Sequence, residues 1–270
     1  MANLSRPATA ARAAVNAAAM LTRELEQRMV APAVEAVTGD GRKQRWDQHK
    51  QRRRSELIEG TITAVQELGY RAGMDEIARH IGVSKTVLYR YFADRNELAD
   101  AVTDVFLAET VLPALTESLT EELDDYELVH TVIRVCVGVV ADNTAVYRFC
   151  ASQDSAKRGA ATHRILASTI ESTLAGRLAD RSAETDGAGV WALAMVGSAD
   201  RVLEWWISDQ SLAPELLADR LTMLIWGGVA GIVMADGSPE RFTADPPQIP
   251  PILRPADSGQ TDPGQGVRQP

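Results

Sequence analysis

The sequence predicts an all-α protein, with a small three-helix unit near the N-terminus and a larger helical body behind it. Three observations predict this. Ala, Leu, Val, Arg and Glu dominate the 270 residues and aromatics make up only 5%, while the alternating Val/Ile/Thr/Tyr runs that mark strands are scarce. Apolar residues recur instead at helical spacing along most of the chain. Charge is also segregated: residues 42–95 hold 12 Lys/Arg against 7 Asp/Glu, and residues 96–270 hold 12 against 26, within a net charge of −9. A basic segment on an acidic body suits a molecule that meets a polyanion at one end and repels it elsewhere.

Residues 1–45 read as a partly helical extension. Helix propensity is strong over 8–37, interrupted at Pro32, with Ala14, Ala18, Leu21 and Leu25 as a weak apolar stripe; such a helix is marginal alone. Gly39, Asp40 and Gly41 read as a break. The basic run Arg42, Lys43, Arg45, Lys50, Arg52, Arg53, Arg54 is either a solvated face or a set of phosphate contacts, for which Lys50 and Arg53 are candidates. The next unit, 46–93, opens with a helix over about 46–68. Its Leu57, Thr61, Ala64, Val65 and Leu68 face the two helices that follow, Gly69 stops it, and Tyr70 covers the small core.

The body, 94–242, reads as a series of helices. The first, about 95–120, is capped by Asp94 with Glu97 completing a capping box, and Pro113 bends or breaks it. Others are expected over about 126–140, 144–151, 160–178, 187–208 and 214–234, the last opened by Pro214. Residues 243–270 contain 7 prolines and little to bury, and are expected to be a disordered tail.

The stretch 74–93 is the informative one. Two short helices that cross closely need a small residue at the crossing, which Ala78 supplies. The turn between them needs positive φ, which Gly82 supplies. Ile77, Ile81, Val83 and Leu88 pin both helices to the first, and Ser84 caps the second. With that face inward, Lys85, Thr86, Tyr89 and Arg90 point out or toward a groove edge. Lys85 and Arg90 suit phosphate or guanine, Thr86 a thymine methyl or phosphate, and the Tyr89 and Tyr91 hydroxyls a phosphate. Such a helix lies in the major groove with its N-terminal residues nearest the bases. Ala78 and Gly82 alone fit an ordinary helical hairpin equally well. Phe92 reads as core, and Tyr89 as a packed ring with a wet hydroxyl.

Leu57-Ile58, Gly69-Tyr70, Ile77-Ala78, Gly82-Val83-Ser84, Leu88-Tyr89, Tyr91-Phe92 and Glu97-Leu98 together resemble the TetR family of repressors over about 45 residues. The resemblance implies a three-helix helix-turn-helix DNA-binding domain followed by a helical ligand-binding and dimerisation domain, whose last two helices pair across a two-fold axis. It carries DNA contact onto Lys85, Thr86, Tyr89, Arg90 and Tyr91, and phosphate contact onto Arg95, where the family often has Lys. Where many members begin the second helix with Thr, this chain has Met74 after Gly73, so a backbone N–H must make that contact or it comes from elsewhere. With Lys50, Arg53 and Ser84, these form the candidate DNA-binding set.

The second half is less sharply marked. Residues 191–232 are similar to actinobacterial regulators of fatty-acid synthesis that bind long-chain acyl-CoA, through Val196-Gly197, Trp205-Trp206 and Trp226-Gly227-Gly228; Gly73 to Ala78 also recurs in that group. Phe106, Leu112, Val135, Val139, Phe149, Ile165, Leu174, Met195, Leu203 and Trp206 either line an apolar tunnel or fill a solid core. Arg148, Asp200, Arg201 and Glu204 lie near them in sequence, and an arginine at a tunnel mouth holds a carboxylate or phosphate. The candidate ligand set is Phe106, Val135, Val139, Arg148, Phe149, Met195, Leu203 and Trp206. Gly227, Gly228 and Gly231 leave one helix face nearly bare, which with Gly197 reads as a dimer seam, close packing within the chain being the alternative.

Cys136 and Cys150 read as free packed thiols. The four histidines, His49, His80, His130 and His163, are scattered, and no nucleophile–base order, metal spacing, phosphate loop or dinucleotide fingerprint is legible. No catalysis, metal or cofactor is expected. No secretory h-region and no apolar run near bilayer-spanning length stands out, so a cytoplasmic protein with no membrane partner is expected. The sequence thus points to a regulator that binds a palindromic operator as a homodimer and is released by a small apolar ligand such as a fatty acid or acyl-CoA. The alternative is a DNA-binding regulator governed by a protein partner through the N-terminal extension.

Overall fold

Helix-forming composition with few β-branched runs leaves the backbone one economical way to satisfy its hydrogen bonds. The computed structural model describes residues 19, 23, 25, 41–119, 123–151, 160–209 and 211–248, and no strand occurs among them. The helices are α1 (Gly41–Leu68), α2 (Met74–His80), α3 (Lys85–Tyr91), α4 (Arg95–Phe106), α5 (Leu112–Ser118), α6 (Asp125–Asp142), α7 (Thr144–Ala151), α8 (Ala160–Ala179), α9 (Ala188–Asp209), α10 (Pro214–Met234) and α11 (Pro239–Ala244). A π-helical turn, Leu107–Val111, joins α4 to α5.

The expected 95–120 helix is therefore interrupted, and one turn ahead of Pro113 rather than at it. Proline lacks the N–H that would bond the preceding turn, so the disturbance falls upstream, where the ladder widens to i→i+5. α1 begins five residues before the expected start and includes Gly41: glycine costs little at a helix end, where the ladder is incomplete anyway. α6 and α7 meet at 94°. The joint is Asn143, whose backbone N–H and side-chain amide both donate to Val139 O, at 3.1 and 2.9 Å, and so close the end of α6. Thr243 and Ala244, expected in the disordered tail, instead end α11; the expectation for 249–270, like most of that for 1–40, lies outside the described residues.

Two main cores hold the chain. The first joins α1–α4 to α7, with Leu57, Ile77, Leu88, Phe92, Leu98, Val102, Val146 and Phe149 at 2% exposure or less. The second joins α6, α9 and α10 through Ile133, Val137, Leu203, Trp206, Leu217 and Leu221. There the Trp206 indole N–H donates to Leu212 O at 2.8 Å, which satisfies the one polar atom of a large buried ring. A third, smaller cluster buries Leu25 of the N-terminal segment against Leu107 and Leu112 at the π turn.

α10 packs on α6 through Leu217, Ala218, Leu221 and Thr222 and leaves Met223, Leu224 and Met234 largely exposed. This corrects one expectation. Pro214–Met234 is long and apolar enough to cross a membrane by length and composition. Glu215, Asp219 and Arg220 break up its first two turns and hide that length in the sequence.

Candidate nucleic-acid interface

The helix-turn-helix is built from local rules. The Gly73 N–H donates to the Glu76 carboxylate at 2.9 Å, which satisfies an orphan donor at the start of α2. Gly82 has φ +72°, a conformation that glycine adopts without strain, and the next amide, Val83 N–H, turns back onto Ala78 O at 2.9 Å. Ser84 Oγ accepts from Val87 N–H at 3.3 Å and opens α3. Ala78 and Leu88 are buried, and Ile81 and Val83 pack half-buried against the same core. α1 and α2 come so close at Gly60 that a Cβ built there would lie 2.8 Å from Ile81 Cγ2.

This frame leaves Ser84, Lys85, Thr86, Tyr89 and Arg90 exposed and Tyr91 half-buried. The Lys85 ammonium lies 2.9 Å from the Asp75 carboxylate on α2 and 5.5 Å from the Tyr89 ring centre. The hydrogen bond and the charge of Asp75 hold the amine above its ordinary pKa, so it stays cationic through the physiological range. The Arg90 guanidinium lies 5.4 Å from the Tyr91 ring centre. α3 has seven residues, about 10 Å of helix, and its exposed face carries two cations and several hydroxyls. That size and chemistry fit the major groove of duplex DNA, about 12 Å wide.

Arg95 does not share this face. Its guanidinium donates to Tyr70 O at 2.7 Å and to Ala72 O at 3.4 Å and sits 4.4 Å over the Phe149 ring. Burial draws its pKa below the usual value without discharging it. The expected phosphate ligand is instead a brace between the helix-turn-helix and the body. Arg148, expected at a tunnel mouth, is the second brace: it donates to Ile207 O in the last turn of α9 and lies 5.1 Å over the Tyr70 ring. Tyr70 is thus held through its carbonyl by one arginine and across its ring by another.

The other ligand candidates divide between the two cores. Phe106, Val139 and Phe149 belong with the helix-turn-helix core, and Leu203 and Trp206 with the α6–α9–α10 core. Val135 and Met195 are half-buried. Among the seam candidates, a Cβ added at Gly197, Gly227 or Gly228 meets nothing within 4 Å, whereas one at Gly231 comes within 3.7 Å of Phe242 on α11.

The family model for bacterial regulatory proteins of the tetR family matches residues 57–102, which span α1 to α4. The HTH-type transcriptional regulator Rv0472c of Mycobacterium tuberculosis strain H37Rv is 42% identical over 222 residues, covering 81% of this chain and 94% of that protein. The chain belongs to the TetR family. It is therefore a helix-turn-helix transcriptional regulator, and TetR-family regulators bind DNA. The HTH-type transcriptional activator FasR of Mycolicibacterium smegmatis is 24% identical over 187 residues, 67% of this chain and 84% of its own. The fatty acid degradation regulator FadR of Bacillus halodurans shares the fold, with a TM-score of 0.52 at 16% identity, covering 64% of this chain and 98% of that one.

Within this TetR-family frame, three functional details escape sequence reasoning. Gly60 reads as an isolated helix-weakening residue until Ile81 is seen against it. The Asp75–Lys85 pair spans ten residues across the turn and leaves no periodic trace. Arg54 belongs by sequence to the basic run, yet it lies 4.8 Å over the Phe92 ring, half-desolvated, beside Glu97 and Asp104. The one signal for this is its place a turn before the first buried residues, Leu57 and Ile58.

Proposed function

We propose that this TetR-family regulator is a cytoplasmic repressor that binds a near-palindromic operator as a homodimer and leaves it when a small apolar or acyl ligand binds the body. The observation that carries the DNA reading is the face of α3: Ser84, Lys85, Thr86, Tyr89 and Arg90 are all exposed on a helix whose inward face is fixed by Leu88. Lys85 and Arg90 take phosphate or guanine, and the Tyr89, Tyr91 and Thr86 hydroxyls take phosphate.

The dimer reading rests on exposed apolar surface. Val190 (72% exposed) and Leu193 on α9, and Met223 (79%) and Leu224 on α10, remain uncovered on the same helices that carry Gly197, Gly227 and Gly228. An uncovered apolar face flanked by bare backbone favours close packing of a second copy. Gly231 stands apart from this seam, since it faces α11. The reading requires the two-fold axis to hold the two α3 helices about 34–36 Å apart, one turn of DNA. The acyl reading draws on the likeness of 191–232 to acyl-CoA-responsive regulators and on the fold shared with the fatty acid degradation regulator FadR. By linkage, a ligand that weakens DNA binding by some factor is itself weakened by DNA by the same factor.

The test is selection from a randomised duplex pool, followed by anisotropy titration of the enriched sequence. An enriched near-palindrome is expected, with binding sharply weakened by Lys85→Ala or Tyr89→Ala at unchanged helical content. Enrichment of no sequence, or full affinity in both variants, refutes the reading. Light scattering of wild type against Leu224→Glu tests the seam, with a dimer expected to become a monomer. Native mass spectrometry of the purified protein tests for an acyl ligand.

A further inference from the structure

We infer that the exposed first turns of α1, with Lys50, Arg52 and Arg53, form a basic arm that grips duplex DNA phosphates outside the groove segment read by α3. This rests on the reading of α3 given above and adds a second contact surface to it. α1 spans 28 residues, but the first buried side chain among those described on it is Leu57. About four turns, roughly 24 Å, thus run ahead of the core. Trp46, Gln48, His49, Lys50 and Arg52 on this stretch are exposed.

Its chemistry is one-sided. Between 41 and 56 stand Arg42, Lys43, Arg45, Lys50, Arg52, Arg53 and Arg54 against Asp47 and Glu56, and the Glu56 carboxylate, 2.7 Å from the Arg53 guanidinium on an exposed face, is a pair that a phosphate can replace. Like charges one turn apart repel and weaken a helix, so the sequence carries a cost that a polyanion offsets. No apolar stripe runs along the stretch to seat it on another helix or a lipid surface: Trp46 is its one large apolar residue, and the Lys50 ammonium lies 5.7 Å over its ring.

Its position decides the partner. Where α1 enters the bundle, Arg54 lies over Phe92, the residue that closes α3. The arm therefore leaves the molecule beside the C-terminal end of α3, with Arg54 held between Phe92 and the acids Glu97 and Asp104 and the cations before it turned outward from there. Phosphates flanking the groove segment match this charge and position, and contact with them carries no sequence preference.

The experiment compares wild type with Lys50→Gln/Arg52→Gln/Arg53→Gln and with the charge-conserving Lys50→Arg/Arg52→Lys/Arg53→Lys. The probes are a 40-bp mixed-sequence duplex and the duplex that wild type enriches from a random pool, each titrated by anisotropy between 50 and 300 mM KCl. Each lost phosphate contact lowers the slope of log affinity against log salt by about 0.9, so the Gln variant is expected to lose about two to three units. At about 0.1 M salt it should bind roughly tenfold or more weakly to both probes. The charge-conserving variant is expected to keep the wild-type slope. Trimming the flanks of the enriched duplex should weaken wild type and leave the Gln variant little changed. If wild type binds both probes and the Gln variant keeps its slope, the arm has another role and the inference is overturned, with the reading of α3 intact. If wild type binds neither probe, the reading of α3 fails and the inference with it. A slope lost in both variants shows disturbed structure rather than lost charge, and also overturns the inference.

Discussion

Gly60→Ala asks whether the approach of α1 to α2 sets the position of the recognition helix. The new methyl carbon would stand 2.8 Å from Ile81 Cγ2 and 3.3 Å from Ile81 Cβ. Ile81 is β-branched and stiff at χ1, so neither atom can swing aside and the two helices must separate. Overpacking of this kind costs about 1–3 kcal/mol. Alanine in place of glycine inside a helix returns about 1 kcal/mol. The steric term wins, and a net loss of about 1 kcal/mol is expected. Adding Ile81→Ala removes the obstructing atoms, so the double variant should be more stable than the sum of the single effects by about 1 kcal/mol or more. Urea denaturation of the four proteins, followed by circular dichroism, measures this cycle. Titration with duplex DNA should show weaker binding in Gly60→Ala alone, because α2 carries α3 with it as it tilts. If Gly60→Ala is stabilised by the full helix-propensity gain, or the four proteins are additive to within about 0.5 kcal/mol, the contact does not constrain the crossing.

Asp75→Asn releases the Lys85 ammonium and removes a carboxylate from the DNA-facing side, so affinity for duplex DNA should rise several-fold; unchanged affinity in an anisotropy titration would show that Lys85 does not reach the duplex. Arg148→Leu removes the bond to Ile207 O and the cation over Tyr70, and should cost about 2 kcal/mol in urea denaturation; a loss within about 0.5 kcal/mol of zero would mean that the brace carries no load. Burial pushes the Cys136 and Cys150 thiols up to about 11 and about 12, so the folded state holds both protons more tightly than the unfolded chain does. Their stability contribution is whole below about pH 9 and falls by about 1.4 kcal/mol per pH unit per thiol as pH rises from there toward those values. Cys136→Ala/Cys150→Ala should flatten that part of the loss between pH 8 and 10.5, and parallel pH profiles for the two proteins would refute it.

The N-terminal unit is legible because each of its key residues has a single mechanical use. Gly82 takes the left-handed turn and Ser84 the cap, and both are found so, while Ala78, expected at the crossing, is buried in the core. Helix limits at 144–151 and 214–234 are equally plain, since Asn143 and Pro214 punctuate them. The body is harder to read. Helical spacing says that Phe149 and Trp206 are buried but not against what, and the fold sends them to different cores. Arg95 and Arg148 look alike in sequence to any surface arginine; only the long-range placement of Tyr70 between them makes them braces. The π turn escapes the sequence because Pro113 acts on the turn before it rather than where it stands.

The joint around Tyr70 also bears on how the reading head moves. Interlocked methyl groups forfeit a quarter to a half of their attraction when parted by about 0.5–1 Å. A planar cation over a ring is drawn to the whole face and keeps much of its hold as it slides. Val146 and Phe149 of α7 lie in one packed core with the helix-turn-helix, so these contacts do not free the head by themselves: close-packed interiors transmit displacement, and a tilt of α7 would be carried toward α3 with the arginine contacts kept along the way.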